Sequence, residues 1–288
     1  MKNCILDITH QEYIEDACGD EPTLSRSTLR DLIYKTPQHV FHGSKKLNPG
    51  YVEKVSDKKF DIGTASHDML LEGANKIEVI DADNFKGKVA QELAANAREV
   101  GKVPLLTKQA EEVMAMVSAA IRQIMNCPDL GITDLANEGK AEQTYVWKSG
   151  KTWMRARPDW VRNDGKLILD YKTTGELADP DGFAKKVLSY GYDIQDVLYS
   201  DGVGKLHGVH DPHFVFIVQE TKAPYLCSFI DLPAVFTEIA EDKIRVGKGI
   251  WQKCLDLGEW PGYPNQICSI DAPDWAVTQW EYRKAVLL

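Results

Sequence analysis

The spacing of apolar residues changes once along the chain, near residue 130. Before that point apolar residues recur every three to four positions, which predicts amphipathic helices. In one of these helices we expect Val89, Leu93 and Val100 to share the buried face. The predicted helices are a short one that Ser25 or Ser27 caps and that ends before Pro37, then Gly63–Glu72, Lys88–Val100 and Lys108–Met125.

The second part of the chain is richer in β-branched and aromatic residues, which favour strands. Here we predict three strands that Ser149-Gly150 and Asp164-Gly165 join as two-residue hairpin turns. The strands are Gln143–Lys148, Thr152–Asn163 and Lys166–Tyr171. A helix Gly182–Lys205 loosened at Gly191, strands His213–Gln219 and Tyr225–Asp231, a helix Pro233–Leu257 and an irregular aromatic tail from Trp260 follow.

These elements predict an α/β protein with two parts. Residues 1–130 form a mainly helical part, and residues 131–288 hold the sheet, a long helix and the tail. We expect the two parts to form one compact unit. The chain has 288 residues, and 43% of them are hydrophobic, which is enough for a sizeable core.

The Asp164-Gly165 turn fixes a register in which the numbers of paired residues sum to 329. Asp159 then lies directly opposite Asp170, and Arg157 opposite Lys172. A Ser149-Gly150 turn gives a sum of 299 and places Glu142 opposite Arg157. Because side chains two apart share a face of a strand, one face of the predicted meander carries all five of these charged residues.

Two carboxylates that face each other destabilise a sheet unless something neutralises them. A divalent cation is the simplest candidate, and Mg²⁺ prefers oxygen ligands and retains several waters. Lys172, two residues after Asp170, could orient or deprotonate a metal-bound water or stabilise charge on a phosphate. The alternative is a solvent-facing strand pair in which Arg157 and Lys172 neutralise the acids.

Charge and cysteine content add weaker arguments. The net charge of −9 argues against nucleic acid as a partner when taken alone, although a local basic channel is compatible with it. Six cysteines without a C-x-x-C motif argue against structural zinc. The chain has no apolar stretch of membrane length, and its first residues are too acidic for a signal peptide, so we expect a cytoplasmic protein without a membrane partner.

Six segments of the chain carry recognisable motifs. They are Arg157-Pro158-Asp159, Leu167 to Thr174 with Asp170-Tyr171-Lys172, Gly63 to His67, the helix Tyr192 to Gly202 with Gln195 and Tyr199, Pro212 to Phe216, and Ser25 to Pro37. Together they resemble the PD-(D/E)xK nuclease core, and more narrowly the RecE-type exonuclease (exodeoxyribonuclease VIII) family of the RecB-like nucleases. The resemblance covers about residue 20 to Glu259-Trp260-Pro261.

The resemblance implies a restriction-endonuclease-like fold, a central mixed sheet flanked by helices. It implies that His67, Asp159, Asp170 and the backbone carbonyl of Tyr171 are metal ligands. It implies Lys172 as the catalytic lysine. Glu142, Gln195 and Tyr199 correspond to further catalytic positions. The expected cofactor is Mg²⁺, with two ions per site, and Mn²⁺ is expected to substitute because imidazole suits it better.

The function implied is 5′→3′ digestion of linear double-stranded DNA from its ends, which leaves 3′ single-stranded tails. The expected partners are DNA ends, a RecT-like single-strand annealing protein and further copies of the chain, in a ring if the assembly closes. The implied source is a phage or prophage in a bacterial host. Two alternatives remain: a RecB-like, CRISPR-associated type of single-strand DNA nuclease, and a non-catalytic module that binds DNA ends.

The residues expected to contact DNA are Ser25, Arg26, Ser27, Arg30 and Arg157. The first four lie at a helix start, which can bind a terminal phosphate through backbone N–H groups. Ordinary helix capping is the competing interpretation of the serines. The pairs Lys45-Lys46 and Lys58-Lys59 flank a predicted loop and are either solvated charge or phosphate contacts.

Overall fold

The chain folds into helices and strands, and the computed structural model describes residues 1–52 and 62–288. In these ranges the helices are α1 (His10–Ile14), α2 (Arg26–Tyr34), α3 (Pro37–His42), α4 (Ile62–Glu72), α5 (Lys88–Glu99), α6 (Thr107–Met125), α7 (Leu135–Glu138), α8 (Pro180–Tyr190), α9 (Tyr192–His207), α10 (Ala234–Leu257) and α11 (Asp274–Leu287). The strands are β1 (Cys4–Leu6), β2 (Ile77–Ile80), β3 (Val103–Leu106), β4 (Gly139–Ala141), β5 (Thr144–Ser149), β6 (Thr152–Ala156), β7 (Trp160–Arg162), β8 (Leu167–Thr174), β9 (His213–Glu220) and β10 (Cys227–Ile230). Within the described ranges, every helix is too short or too polar to cross a lipid bilayer.

A mixed sheet lies at the centre of the fold, as the sequence predicts. Among the described residues its strand order is β10-β9-β8-β7-β4, with β8 parallel to β9 and the other neighbours antiparallel. Alternate residues of β8 point to opposite faces: Ile168 packs among residues of α2, α8, α9 and α10, and Leu169 packs against α4 and α6. Helices therefore flank both faces of the sheet.

The first 130 residues are mainly helical but also carry three strands that the sequence pattern does not reveal. β1 joins β5 and β6 in a second sheet, and β2 pairs with β3 in parallel. Because α4 and α6 pack directly on the central sheet, the two predicted parts share a hydrophobic core. The boundary at residue 130 stays a prediction.

The predicted three-stranded meander is wrong, because the chain changes sheets near Pro158. The segment expected as one strand, 152–163, is divided into β6 in the second sheet and β7 in the central sheet. Proline has no N–H to donate to a strand ladder and so interrupts pairing at this point. Arg157 and Asp159 consequently lie in the connection between two sheets instead of inside a strand.

The Asp164-Gly165 register is confirmed. Val161 pairs with Ile168, and the neighbouring pair follows the same sum of 329. Continued by two residues beyond Val161, this register places Asp159 opposite Asp170.

The Ser149-Gly150 register is wrong by two residues. Ser149 pairs with Thr152, so the loop residues are Gly150 and Lys151. A shift of two keeps every side chain on its face. Continued to Arg157, the observed register faces it with Thr144, yet its guanidinium still reaches Glu142.

The predicted helix at 182–205 is confirmed with a full break at Gly191. Gly191 has φ 70°, a left-handed conformation that residues with a Cβ adopt at a cost. A Cβ at this position would lie 3.2 Å from Cδ of Arg30. The break ends α8 and starts α9, whose Tyr192 and Gln195 contact Lys172 and Asp170 of β8.

Two further expectations are wrong, one about the buried face of α5 and one about the tail. The buried residues of α5 are Ala90, Ala94 and Ala97, whereas Val89 and Val100 are exposed. Alanines allow the helix to approach β2 and β3 closely, which larger side chains would prevent. The tail is irregular from residue 258 to 273, but α11 follows it.

A buried ion pair fixes the segment before α2. Asp16 accepts a hydrogen bond from the Thr23 backbone N–H at 2.7 Å, and its carboxylate lies 3.0 Å from the Arg155 guanidinium. Both charged side chains are buried. Leu24, the next residue, exchanges backbone hydrogen bonds with β6, and this holds the start of α2 against the second sheet.

We therefore expect Asp16→Asn to lower the free energy of unfolding by ~3 kcal/mol, because it leaves a buried guanidinium without its counter-charge. Asparagine tolerates the left-handed backbone of this position, where φ is 60°. Urea unfolding measures the change, with the exposed Asp20→Asn as the matched control. Equal stability of the two variants would contradict the importance of this pair.

Candidate metal and catalytic site

Side chains from four distant parts of the chain meet beside the connection between the two sheets. α4 contributes His67, the turn between β4 and β5 contributes Glu142, and the connection itself contributes Asp159. β8 adds Asp170 and Lys172. The sequence predicts that these residues lie together. The predicted meander would have carried Glu142, Asp159, Asp170 and Lys172, but the described strands divide it between two sheets.

His67, Glu142 and Asp159 form a group that could hold a metal ion. One ligand atom from each lies within 4.8 Å of the other two. Nε2 of His67 is 3.3 Å from Oδ2 of Asp159 and 3.9 Å from Oε1 of Glu142. Two ligand atoms that each lie ~2.1 Å from one octahedral ion are ~3 to ~4.2 Å apart. Both distances from Nε2 of His67 lie in this range, so this nitrogen could share a small divalent ion with either carboxylate.

The backbone of Glu142 and Asp159 holds their side chains in place. Glu142 has φ 55°, and its N–H donates to the carbonyl oxygen of Asp159 at 3.1 Å. A left-handed conformation is costly for glutamate and is more frequent at functional sites. Oδ2 of Asp159 also accepts from the Tyr171 N–H at 2.7 Å, which ties the connection to β8.

Charges around the group shift its pKa values in the directions expected of a partly buried ionic cluster. Burial would lower the pKa of His67, but the carboxylates of Asp159, Asp68 and Glu142 outweigh burial and raise it to about 10. Burial and the charge of Asp159 raise the pKa of Glu142. Burial acts against the charged form of Asp159 too, but the cations Lys172 and His67 outweigh it, and the pKa of Asp159 is lowered. The carboxylates around His67 thus stabilise the protonated, positively charged form of its imidazole.

Asp170 has no exposed surface, and two side chains hold it. The Lys172 ammonium contacts Oδ1, and the Gln195 amide donates to Oδ2. Burial and the nearby Asp159 raise the pKa of Asp170 to about 6, against the opposing effect of Lys172. The charges of Asp170 and Asp159 outweigh the burial of Lys172 and raise its pKa, so the ammonium stays charged at neutral pH. In this structure Asp170 lies beside the group of three, not within it.

The start of α2 reaches this site through Arg26. Its guanidinium donates to Oε1 of Gln195 at 2.9 Å, which links α2 to Asp170 through one side chain. Ser25 is buried and caps α2 by accepting from the Thr28 N–H, and its hydroxyl lies 3.0 Å from that of Ser27. Arg30 donates to the carbonyl oxygen of Ser189. Capping thus accounts for Ser25, and among the expected DNA contacts of α2 it is Arg26 that lies at the site.

Tyr192 is a site residue that our sequence analysis did not assign. The Lys172 ammonium lies 5.4 Å from the centre of its ring, and the Arg26 guanidinium 5.8 Å. The ring stacks on Phe183 and Tyr190. The available signal was its position directly after the helix-breaking Gly191 and three residues before Gln195, which places it in the first turn of α9.

Three other predicted residues have different surroundings. Arg157 was expected to contact DNA, but in this structure its guanidinium donates to Glu142 at 2.6 Å and to the carbonyl oxygen of Ile8. Tyr199 lies one turn after Gln195 and is buried against Phe214. The Tyr171 hydroxyl donates to Gln219, while the role of its carbonyl oxygen as a metal ligand stays a prediction.

The first basic pair of the predicted loop has partners in the N-terminal segment of the chain. Lys45 forms an ion pair with Glu15 at 2.7 Å, and Lys46 donates to the carbonyl oxygen of Gly19. Lys58-Lys59 lies outside the described residues.

Comparisons with known proteins agree with this fold. A solved structure of a protein from Eubacterium rectale, described as a candidate exonuclease, superposes with a TM-score of 0.59 at 14% sequence identity. The match covers 95% of this chain and 98% of that one. A search of curated proteins finds no match. The family described as a PDDEXK-like domain of unknown function, DUF3799, matches residues 26–273, which include His67, Glu142, Asp159, Asp170 and Lys172. The chain therefore belongs to this PDDEXK-like family of the PD-(D/E)xK superfamily.

Proposed function

We propose that the chain is a divalent-metal-dependent 5′→3′ exodeoxyribonuclease that acts on ends of linear double-stranded DNA and leaves 3′ single-stranded tails. The observation that carries this proposal is the group of His67, Glu142 and Asp159 beside the charged pair of Asp170 and Lys172. A metal-ligand group next to a charged lysine is the arrangement that phosphodiester hydrolysis needs. The polarity and the duplex substrate rest on the RecE-type resemblance of the motifs.

His67 and Asp159 would hold the ion, together with Asp170 and the carbonyl oxygen of Tyr171. The donor set is mostly oxygen with one imidazole nitrogen, which suits Mg²⁺ and also accepts Mn²⁺. Asp170 would join it by exchanging its contact with Lys172 for the ion. A bound ion supplies a Lewis acid and lowers the pKa of a bound water, and a second ion would do the same for the leaving oxygen.

The remaining side chains position these groups and neutralise charge. Lys172, kept as an ammonium, would stabilise the negative charge that develops on the scissile phosphate. Gln195 holds Asp170 and is itself held by Arg26. Glu142 lies near Nε2 of His67 and is paired with Arg157, so it would add a ligand oxygen or accept a bond from a bound water. Arg26 would bind a phosphate of the DNA end.

A panel of end-labelled substrates tests the proposal. With Mg²⁺, we expect release of nucleotides from the 5′ ends of linear duplex, accumulation of 3′ tails, and no cleavage of closed circular duplex. Excess EDTA should abolish digestion, and Ca²⁺ should not replace Mg²⁺ because its looser coordination misplaces the water. Preference for single strands would favour the single-strand nuclease, and binding without cleavage would favour an end-binding module. Early release of the 3′ label would contradict the polarity.

The biological setting follows from the product. A 3′ single-stranded tail is the substrate of a strand-annealing protein, so we propose a RecT-like protein as a partner. A phage or prophage source fits such a pair. Both proposals depend on the polarity that the labelled substrates test.

Tyr192 gives a prediction that is independent of the metal ligands. Replacing Tyr192 with leucine removes the ring that faces both cations, and we expect kcat to fall ~2- to 30-fold with Mn²⁺ affinity unchanged. Tyr192→Phe keeps the ring and should retain most of the rate. The exposed Tyr190→Leu, which removes a stacking neighbour, is the matched control. Equal rates for Tyr192→Leu and wild type would show that the ring only packs.

A further inference from the structure

The helix α11 is apolar on two sides, yet nothing in the described chain covers it. Residues spaced by four and seven form two stripes about 120° apart on a helix, at 100° per residue. The stripes are Trp275, Tyr282 and Val286 on one side, and Ala276, Trp280 and Leu287 on the other. Trp275 is 69% exposed, Trp280 58% and Tyr282 75%. A helix with apolar residues on two sides is normally buried between two surfaces.

α11 is also separate from the nuclease domain. The family match ends at residue 273, one residue before α11 begins. Within the described ranges, its side-chain hydrogen bonds and ion pairs stay inside the helix: Thr278 donates to the carbonyl oxygen of Asp274, and Lys284 pairs with Glu281. The nuclease fold therefore does not depend on α11.

The same chain has a groove that fits a helix. A cavity of about 1240 Å³ lies between α9 and α10, and its lining includes the apolar side chains of Leu198, Phe214 and Leu232. The α10 wall runs from Ala234 to Lys248. At 1.5 Å per residue this wall is ~21 Å long, and the 14 residues of α11 span the same length.

The charges of the two surfaces are complementary in one orientation. Along α10 the groove shows Glu238 and Glu241 first, then Arg245 and Lys248. α11 has the same order from its start to its end: Asp274 opens it, and Arg283 and Lys284 lie near its other end. An antiparallel helix in the groove would therefore place opposite charges together at both ends, which favours one register.

We propose that α11 of one copy of this chain lies antiparallel to α10 in the groove of a second copy. A second copy is the occupant that supplies this length, these two apolar stripes and this order of charges. In the single chain the groove is open and α11 is exposed, so one chain does not fill its own groove. The contact joins two different surfaces, head to tail, and repeated contacts close a ring or extend a filament.

Charge reversal tests the contact without touching the nuclease site. Glu238→Lys with Glu241→Lys alters the groove, and Arg283→Glu with Lys284→Glu alters the helix; all four side chains are exposed. Each double variant alone should associate at least ~10-fold more weakly than wild type by light scattering. Mixing the two should restore assembly at a 1:1 ratio, because reversed helix then meets reversed groove and native helix meets native groove.

Each outcome decides the proposal. Restored assembly in the mixture, and in a chain with all four changes, supports it. Assembly of wild type that neither variant weakens would mean that α11 pairs with another surface and would overturn it. A wild-type protein that stays monomeric at tens of micromolar would overturn it as well. This includes a monomer in which α11 occupies its own groove and is protected there from proteolysis. Nuclease activity is not a readout, so a failure here is distinct from a failure of the proposed function.

Discussion

Lys172→Ala is expected to slow single-turnover cleavage of linear duplex by ~10² to 10³-fold, while the protein stays folded and still binds Mn²⁺. The ammonium of Lys172 contacts Asp170 and faces Tyr192, and it lies outside the group of three potential ligands. Its removal therefore takes away a charge at the phosphate without removing a ligand. Lys172→Arg should rescue only in part, because a planar guanidinium cannot place a point charge at the same position.

The control for this prediction is Lys186→Ala. Lys186 lines the same small cavity as Lys172, is paired with Glu176 at 2.7 Å, and makes no described contact with Asp170. It should cleave at close to the wild-type rate. If folded Lys172→Ala cleaved as fast as this control, Lys172 would only balance the acidic residues around it.

Asp159→Asn is expected to abolish Mn²⁺ binding and to lower cleavage by more than ~10³-fold, because it removes the carboxylate that would hold the ion together with His67. The fold should persist. The asparagine carbonyl can still accept the bond from the Tyr171 N–H, and one of two facing carboxylates is gone. Calorimetric titration with Mn²⁺ and single-turnover assays measure both effects.

Asp164→Asn is the matched control for that variant. Asp164 lies in the turn between β7 and β8, is exposed, and pairs with Arg162 at 3.0 Å. It should bind Mn²⁺ and cleave as wild type does. Native Mn²⁺ affinity in Asp159→Asn would move the metal site elsewhere in the chain.

The parts of the site that lie on one hairpin could be predicted from local sequence. The Asp164-Gly165 turn determines which residues face each other on β7 and β8, and an alternating strand determines that Asp170 and Lys172 share a face. The contact between Arg157 and Glu142 was also predicted, although from a register wrong by two. It survived because a shift of two residues does not exchange the faces of a strand.

Other features depend on contacts between distant segments and could not be predicted in this way. The effect of Pro158 was visible in the sequence, but the second sheet that β6 joins was not, because it requires β1 from the start of the chain. His67 lies more than 70 residues before Glu142, and no local pattern brings the two together; only the resemblance did. Tyr192 was missed because its role depends on two cations from β8 and α2.

The burial of helix faces shows the same limit. Apolar spacing correctly predicted the long helix α6, where Val113, Val117 and Ile124 are buried. In α5 it selected the wrong face, because a face of alanines is favoured where a helix approaches a strand pair closely. Size complementarity with a partner element, and not hydrophobicity alone, decides such cases.

The central claim is that His67, Asp159 and Asp170 hold the catalytic ion beside Lys172. Anomalous diffraction from crystals soaked in Mn²⁺ tests it most directly. The account predicts a strong peak ~2.1 to 2.3 Å from Nε2 of His67 and from a carboxylate oxygen of Asp159, with a second peak ~3.5 to 4 Å away, and neither peak in Asp159→Asn. Mn²⁺ bound at another place in a protein that cleaves DNA, or identical peaks in Asp159→Asn, would contradict it.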